Sequence, residues 1–444
     1  MKKVITYGTY DLLHHGHIRL LERAKELGDY LIVGVTADDF DKSRGKINVT
    51  QSLSERIEAV RQTGLADEII VEEYSGQKID DIRKYNVDIF TVGSDWIGMF
   101  DYLKEYCEVI YLDRTTGISS TDLRGSQGTR IGLIGGGSDV SNILLKYFKE
   151  STFVNGLVVS GVCSKDTEVL EKLESDGVVV FKDYQELLSH SDAVYIVSEP
   201  EAHYVQIKKA LEAGKHVLCE SPITINKEEL QILLDLAQKK NLILMDAIKT
   251  AYATAYHRLL LLAKTKCIGD IVSVDTTCTS LKDPINDNFS WNSITSWGPT
   301  ALLPIFQILG TNYISSQIVS KFMDKDHKID LMTKVAFVYP NAVASIKVGK
   351  GVKSEGELII TGNKGCIYVP APWWKTDYFE IHYENLEDNK KYFYQLDGEG
   401  IRYVLIAFVQ AIRTGKGDFF IETETSKSIV SVMDDFYSKK YLTI

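Results

Sequence analysis

The chain has 444 residues, a formal net charge of -11 and 44% hydrophobic residues, with a mean hydropathy of -0.08. An acidic chain of this composition argues against a nucleic-acid binder, which is expected to be basic, and no apolar run approaches the roughly 18 residues that a membrane helix needs. Its length suits about two or three domains, and its scattered cysteines (107, 163, 219, 267, 278 and 366) form no CxxC pair, which argues against a zinc site or disulfide framework and for a reducing setting.

Met1-Lys2-Lys3-Val4 runs straight into a strand without a signal-peptide apolar core, so a cytoplasmic protein is expected. Val4-Ile5-Thr6-Tyr7 reads as that strand. Ile18, Leu21, Ala24 and Leu27 mark one face of a helix that Gly28 stops. Between them stands Gly8-Thr9-Tyr10-Asp11-Leu12-Leu13-His14-His15-Gly16-His17. Such a strand-to-helix turn offers phosphates the free N–H groups and positive partial charge of a helix N-terminus. Asp11 either caps the helix or touches a ligand. Strand signals at 30–36, 68–71, 88–92 and 108–112 alternate with helix signals at 54–62 and 79–85. That alternation predicts a parallel sheet covered on both faces.

Gly8-Thr9-Tyr10-Asp11 with His14-x-Gly16-His17, followed by Arg114-Thr115-Thr116-Gly117-Ile118-Ser119-Ser120-Thr121, resembles the glycerol-3-phosphate cytidylyltransferase family. The similarity runs from Met1 to about Arg124 and includes Asp67-Glu68-Ile69-Ile70 and Gly93-Ser94-Asp95-Trp96. It implies nucleotidyl transfer from CTP to a phosphorylated acceptor, with Mg²⁺ held mainly by the triphosphate and no protein metal site. His14, His17 and Arg114 are the implied catalytic residues, with Ser119 and Thr121 closing over the triphosphate. Gly8, Thr9, Tyr10, Gly16, Lys46, Asp95, Thr115, Gly117 and Ile118 complete the implied CTP site, and Arg44 and Lys78 the acceptor-phosphate site. Two departures are expected to widen the acceptor pocket. Gly64 stands near the place of a family arginine, and Ser75 or Gly76 at that of an aromatic. A phosphate ester longer than glycerol phosphate is the expectation.

Arg124-Gly125-Ser126-Gln127-Gly128-Thr129 is a short polar link. Domains at 1–124 and 130–248, joined by 125–129, are therefore expected. Ile131-Gly132-Leu133-Ile134-Gly135-Gly136-Gly137 is a strand followed by a glycine turn, and Ile143, Leu144 and Tyr147 fit a helix face. Strands at 157–163, 193–197, 216–219 and 242–245 follow. This is a dinucleotide-binding pattern in the required strand-to-helix context, although Val140 stands at the third glycine; a purely structural tight turn is the other reading.

Asp192-Ala193-Val194-Tyr195-Ile196, then His203, then Ala210-Leu211-Glu212-Ala213-Gly214-Lys215-His216-Val217-Leu218-Cys219-Glu220-Ser221-Pro222 resembles the Gfo/Idh/MocA oxidoreductase family, loosely to about residue 440. The resemblance implies a nicotinamide dinucleotide bound by Gly135, Gly136, Gly137, Ser138, Ser198, His203, Glu220 and Pro222. The second strand ends Cys163-Ser164-Lys165, a hydroxyl and a cation rather than the carboxylate that favours NAD. NADP(H) is therefore expected, with Ser164 and Lys165 at its 2′-phosphate.

Residues 249–444 show strand signals at 271–277, 334–337, 342–348, 357–361 and 379–383, and helices at 401–413 and 425–437. The resemblance makes this an α+β domain whose mixed or antiparallel sheet walls a substrate pocket and supports a homo-oligomer, a dimer or tetramer. The expected fold class is thus α/β: a Rossmann-like nucleotidyltransferase domain, a Rossmann domain and this third domain. The family's Glu-Lys-Pro is here Glu220-Ser221-Pro222, and Pro304 and Ile308 stand where its Asp and His would be. Ketone reduction still requires a proton donor to the forming alkoxide. Lys249, with Tyr252 second, is the candidate proton donor or carbonyl polariser; the alternative is a substrate-phosphate or surface lysine. His257 packs or caps, and Trp291 and Trp297 line the pocket or the core. Two functions stand open. One is a bifunctional enzyme that couples CTP to a sugar, ketose or polyol phosphate and reduces a ketose phosphate or its CDP derivative with NADPH. Its product would be CDP-glucitol, CDP-ribitol or CDP-glycerol for a capsule or other cell-surface polymer. The other is a cytidylyltransferase with an inactive oxidoreductase-like binding or dimerisation module.

Overall fold

The computed structural model is described for all residues except 12, 14, 38–48, 50, 75, 114–127, 136–139, 155, 166, 282–291, 324–328, 395, 416 and 418–419. The described residues fall into two compact units, Met1–Gly128 and Thr129–Ile444.

In the first unit, β1 (Lys3–Gly8) leads through α1 (His15–Glu26), β2 (Tyr30–Thr36), α2 (Leu53–Gln62), β3 (Glu68–Glu72), α3 (Gln77–Tyr85) and β4 (Ile89–Gly93) to β5 (Glu108–Leu112). The strands are parallel in the order β3-β2-β1-β4-β5. Successive strand residues face opposite ways. Val4 therefore packs with Leu21, Ala24 and Leu31 on one face, and Ile5 with Ile32, Ile82 and Phe90 on the other. Burial on both faces is why these strands read as unbroken apolar runs. Ser52 starts α2 with a capping box: its N–H donates to the Glu55 carboxylate at 2.7 Å, and its hydroxyl accepts from Glu55 N at 3.4 Å. The strand order reverses between β1 and β4, so their carboxyl ends open a crevice.

The position of Gly64 overturns one expectation. α2 runs back from the carboxyl edge of the sheet, and Gly64 follows its last turn. The nearby Asp67 accepts from Leu31 N at 2.6 Å, at the start of β2. Gly64 thus stands at the amino edge and cannot widen a pocket at the opposite one. Gly76 does precede α3 at the carboxyl edge, and a side chain placed there would meet nothing within 4 Å.

The second unit opens with β6 (Thr129–Gly135), so Thr129 belongs to a strand rather than to the expected link. There follow α4 (Val140–Ser151), β7 (Leu157–Ser164), α5 (Thr167–Ser175), α6 (Tyr184–Ser189), β8 (Ala193–Ile196), α7 (Pro200–Glu212), β9 (His216–Cys219), α8 (Lys227–Lys240) and β10 (Leu244–Asp246). These strands form a second parallel sheet, β10-β9-β8-β6-β7. A 3-10 turn (Lys249–Tyr252) and α9 (Thr254–Lys264) lead to β11 (Ile271–Ser280), α10 (Ser293–Leu309), β12 (Ser315–Phe322), β13 (Asp330–Val338), β14 (Val343–Lys350), β15 (Leu358–Gly362), β16 (Gly365–Val369), β17 (Tyr378–Tyr383), β18 (Lys390–Phe393), α11 (Ile401–Thr414), α12 (Thr423–Tyr437) and β19 (Leu442–Thr443). The third sheet is mixed, β18-β17-β16-β15-β11-β14-β13-β12-β19, with β11–β14 and β12–β19 parallel.

The sequence reading has no counterpart for α9, α10, β12, β16, β18 or β19. α10 is the most instructive of these. Pro299 and Pro304 read as breakers, yet both lie inside the helix among residues buried from Ser293 to Phe306. Burial of this mainly apolar helix outweighs the two lost backbone bonds. Among the described residues no helix is long and apolar enough to cross a membrane.

Asp330 anchors the start of α10. Its carboxylate accepts from Ser293 N and from the Thr333 hydroxyl, each at 2.5 Å. Burial lifts this carboxyl to about 6 in spite of those bonds. An unfolded aspartate titrates near 4, so between about pH 4 and 6 the folded chain keeps a proton that the unfolded chain has lost. Stability contributed by Asp330 is therefore full below that window and falls as pH rises through it. Against Asp330→Asn, wild type should lose on the order of 2 kcal/mol between these limits. Melting curves of both proteins across pH measure the difference; parallel curves would contradict it.

Candidate active sites

At the carboxyl edge of the first sheet, the organising residue is Arg56, which is fully buried. Its guanidinium donates to the carbonyls of Thr9 at 2.7 Å, Thr36 at 2.8 Å and Gln51 at 3.1 Å. One side chain thus ties the turn after β1 to the end of β2 and the start of α2. Asp11 accepts from Gln51 N at 3.0 Å, so it braces this loop. Tyr10 adopts a positive φ of 53°, which lays its ring over Gly8; a Cβ on Gly8 would come within 2.9 Å of that ring. The ring meets His17 edge-on, centroids 5.6 Å apart. Gly8, Thr9, Tyr10, Gly16 and His17 are thereby gathered around the entry to α1, and Asp95 sits in the 3-10 turn that follows β4. His14, Arg44, Lys46, Arg114, Thr115, Gly117, Ile118, Ser119 and Thr121 lie outside the described residues.

Lys78, expected on the acceptor phosphate, is buried and paired with Glu72. Its ammonium stands 4.5 Å from the Tyr7 ring centroid and 5.6 Å from that of Phe100. Thr36 donates to the other Glu72 oxygen at 3.0 Å, while Asp81 accepts from Tyr7 at 2.8 Å and from Gln77 at 3.0 Å. Burial, then Asp81, pushes the Tyr7 phenol far above its ordinary range. A phosphate reaching Lys78 must compete with Glu72 for it. Sequence reasoning missed Arg56, Glu72 and Asp81. Glu72, a charge closing the apolar run Ile69-Ile70-Val71, was the available signal.

In the second unit Gly135, Ser164, Ile196, Cys219 and Asp246 end the parallel strands at one edge. Glu220 follows β9 there. Its carboxylate accepts from Lys249 at 2.9 and 3.0 Å, from Tyr195 at 2.6 Å and from Tyr147. Lys249 also donates to the Tyr147 hydroxyl at 2.9 Å. The two tyrosine rings, 4.8 Å apart, back the pair. Burial works to raise the Glu220 carboxyl, but Lys249 and the two phenols outweigh it and hold it below the usual range. Burial opposes the Lys249 charge in turn, yet Glu220 carries its ammonium well above its ordinary value.

Ser221 donates to Asp246 at 2.6 Å. Tyr252 is buried, and its hydroxyl donates to the Asp246 carbonyl at 2.6 Å; committed to backbone, it is a wall residue rather than a proton donor. His203 is fully buried, its nitrogens 2.8 Å from the carbonyls of Ser198 and Pro222. Both ring nitrogens thus meet backbone carbonyls, and the side chain clamps two edge loops together. The Ser198 hydroxyl is bonded to Gln206, and Pro222 is buried. Ser164 and Lys165 stand half-buried and exposed at the end of β7, while Gly136, Gly137 and Ser138 lie outside the described residues. His257 packs edge-on to Phe420 at 4.7 Å, and burial lowers its pKa. Trp297 packs on Trp374 at 4.8 Å; Trp291 lies outside the described residues. Pro304 is buried within α10.

A glycine ending the first strand, a hydroxyl and an ammonium ending the second, and a polar edge between them fit a dinucleotide with a 2′-phosphate. Among the described residues no group of three His, Cys, Asp or Glu could hold a metal ion.

Comparison with known proteins agrees with this division. Residues 5–126 match the cytidylyltransferase-like family, and residues 129–247 the oxidoreductase family with an NAD-binding Rossmann fold. Over 124 residues the chain is 54% identical to glycerol-3-phosphate cytidylyltransferase of Bacillus spizizenii, covering 28% of this chain and 95% of that protein. A 3-ketoreductase from Actinomadura kijaniata, solved with NADP and TDP-benzene, shares the fold with a TM-score of 0.62 at 18% identity, covering 71% of this chain and 99% of that one. A UDP-N-acetylglucosamine 3-dehydrogenase from Acidithiobacillus ferrooxidans gives 0.58 at 18% identity, covering 69% and 95%.

Arg56→Met keeps the buried stem but strips three carbonyls of their donor. It is expected to destabilise the first unit by on the order of 3 kcal/mol and to speed amide exchange around Thr9 to Asp11. Calorimetry and hydrogen exchange measure both; an unchanged transition would contradict the role given to Arg56.

Proposed function

We propose that this chain, which belongs to the cytidylyltransferase-like family through residues 5–126 and carries a Gfo/Idh/MocA oxidoreductase domain beginning at residue 129, makes a CDP-linked polyol. The first unit couples CTP to a sugar or polyol phosphate. The second reduces a ketose phosphate, or its CDP derivative, with NADPH. The observation that carries the reading is that each parallel sheet presents at its carboxyl edge the groups its chemistry requires: His17 at the entry to α1, and Lys249 fastened to Glu220.

In the transfer, an oxygen of the acceptor phosphate attacks the α-phosphorus of CTP, the bond to the β-phosphate oxygen breaks, and pyrophosphate leaves. Little covalent work falls to the protein. His17 and His14 donate to phosphate oxygens where the amino end of α1 adds positive potential, and Arg114, Ser119 and Thr121 neutralise the charge that builds up. Mg²⁺ enters with the triphosphate. The open surroundings of Gly76 support an acceptor longer than glycerol phosphate, which favours CDP-ribitol or CDP-glucitol over CDP-glycerol, for a cell-surface polymer assembled from cytoplasmic precursors.

In the reduction, the bound dinucleotide supplies hydride. Lys249 stays cationic beside Glu220, so it polarises the substrate carbonyl rather than giving up a proton. Ser164 and Lys165 support NADP(H) over NAD(H). One observation favours the second reading, an inactive oxidoreductase-like module: Pro304 sits buried in α10 at the place of the family's acid.

Wild type is expected to oxidise NADPH in preference to NADH when given a ketose phosphate with CTP and Mg²⁺. Lys165→Ala should narrow that preference. Equal use of the two cofactors by wild type contradicts the NADP assignment, and failure to bind either supports the inactive module.

The two activities should also separate by mutation. Lys249→Met is expected to lower reduction about a hundredfold while leaving cytidylyl transfer intact, and His17→Ala to do the reverse. Full reduction by Lys249→Met removes that residue from the site.

A further inference from the structure

A lysine held cationic by Glu220 and also bonded to Tyr147 is a poor proton donor near neutral pH. The reduction proposed above therefore needs another source for the proton that reaches the forming alkoxide, and Tyr252 is committed to a backbone carbonyl.

The same edge offers one. Ser221 occupies the middle of Glu220-Ser221-Pro222, is half-buried, and donates to Asp246 Oδ1 at 2.6 Å. Asp246 closes β10 and is only 4% exposed. The titratable groups that act on it are Cys219, Glu220 and Tyr252. Cys219 is its register partner on β9. Glu220 follows on the same loop, and Lys249 and Tyr252 stand on the 3-10 turn that comes next. Lys249, the neighbouring cation, is engaged by Glu220. A half-exposed hydroxyl backed by a buried acid is the geometry of a two-member proton relay.

We infer that Ser221 protonates the carbonyl oxygen during reduction and that Asp246 positions and re-protonates Ser221. The inference rests on the reductase reading of the preceding section. As hydride arrives at the carbonyl carbon, the C=O π bond breaks, a C–H bond forms, and the electron pair moves to oxygen. That oxygen takes the Ser221 proton. For this the hydroxyl turns its proton from Asp246 Oδ1 to the substrate oxygen, the Ser221 oxygen accepts the proton of the Asp246 carboxyl in return, and the resulting carboxylate recovers one from water. The ketone gains one hydride and one proton, and the cofactor loses two electrons.

Burial, with a contribution from Glu220, raises the Asp246 carboxyl to about 7 against the lowering effect of the Ser221 bond. The acid form holds the relay proton, so reduction should be level below about pH 7 and decline above it. Oxidation of the polyol, which needs the base form, should rise over the same range.

Asp246→Asn preserves the acceptor for Ser221 but cannot titrate, and Ser221→Ala removes the hydroxyl. Each should lower kcat for ketone reduction about a hundredfold, with KM and NADPH binding unchanged. Ser221→Thr should restore most of the rate, and the decline above pH 7 should vanish in Asp246→Asn. Unchanged NADPH binding reports that the second unit of each variant is intact, and cytidylyl transfer that the first is. A readout independent of turnover is the infrared carboxylic-acid band, taken as wild type minus Asp246→Asn, which should disappear near pH 7 rather than near 4. A band lost near pH 4, or variants that keep the wild-type rate and pH profile, would overturn the inference alone. A wild-type protein that oxidises no NADPH with any ketose phosphate or CDP-ketose would overturn the reductase reading, and this inference with it.

Discussion

A glutamate largely withdrawn from water at the carboxyl edge of a parallel sheet keeps its charge only when it is paired. Both units answer that demand in the same way. In the first, Glu72 takes Lys78 beneath the rings of Tyr7 and Phe100. In the second, Glu220 takes Lys249 against Tyr147 and Tyr195. For Lys78 and Glu72, whose side chains are 10% and 2% exposed, removing one member leaves a buried charge unmatched, at a cost of about 3–5 kcal/mol; Lys249 and Glu220 keep more contact with water, and the cost there is smaller. Each pair therefore fixes the local backbone as well as the local charge. It also decides what else the edge can do, because a lysine already matched by a carboxylate offers a ligand only part of its field.

That constraint explains why neighbouring groups carry so much of the proposed chemistry. In the first unit, the phosphate contacts proposed above fall to His17 and the amino end of α1, which Arg56 holds in place through the carbonyl of Thr9. In the second, Glu220-Ser221-Pro222 lacks the lysine of the oxidoreductase family, but the nearby 3-10 turn returns a lysine to the same carboxylate. In the proposed reduction the proton comes instead through Ser221 from Asp246, whose carboxyl titrates nearer neutrality than Lys249.

Much of the architecture could be read from the residues. The apolar runs around Ile5, Val33 and Val194 announce strands buried on both faces, and Gly8 to His17 marks the phosphate-binding turn. The supporting residues were hidden because their partners are distant in sequence. Arg56 looks like an ordinary polar position of an amphipathic helix until Thr9, Thr36 and Gln51 surround it. Tyr147 was visible only as an apolar helix position, although its hydroxyl reaches Glu220 and Lys249. Asp246 is one carboxylate at the end of a short strand, and nothing local shows that it will be buried beside Ser221. α10 was obscured for another reason: burial overrides two prolines that local preference treats as stops. Gly64 is the opposite case: its departure from the family pattern suggests a wider pocket, but the topology puts it at the other edge of the sheet.

The central claim, that one chain both activates and reduces its substrate, is tested most directly by isotope transfer. The protein is incubated with CTP, Mg²⁺, a ketose phosphate and NADPH deuterated at the transferable position, and the CDP-linked product is weighed. The account predicts a CDP-polyol carrying one deuterium on carbon. A CDP-linked product that forms without deuterium, while the label stays in NADPH, would contradict it.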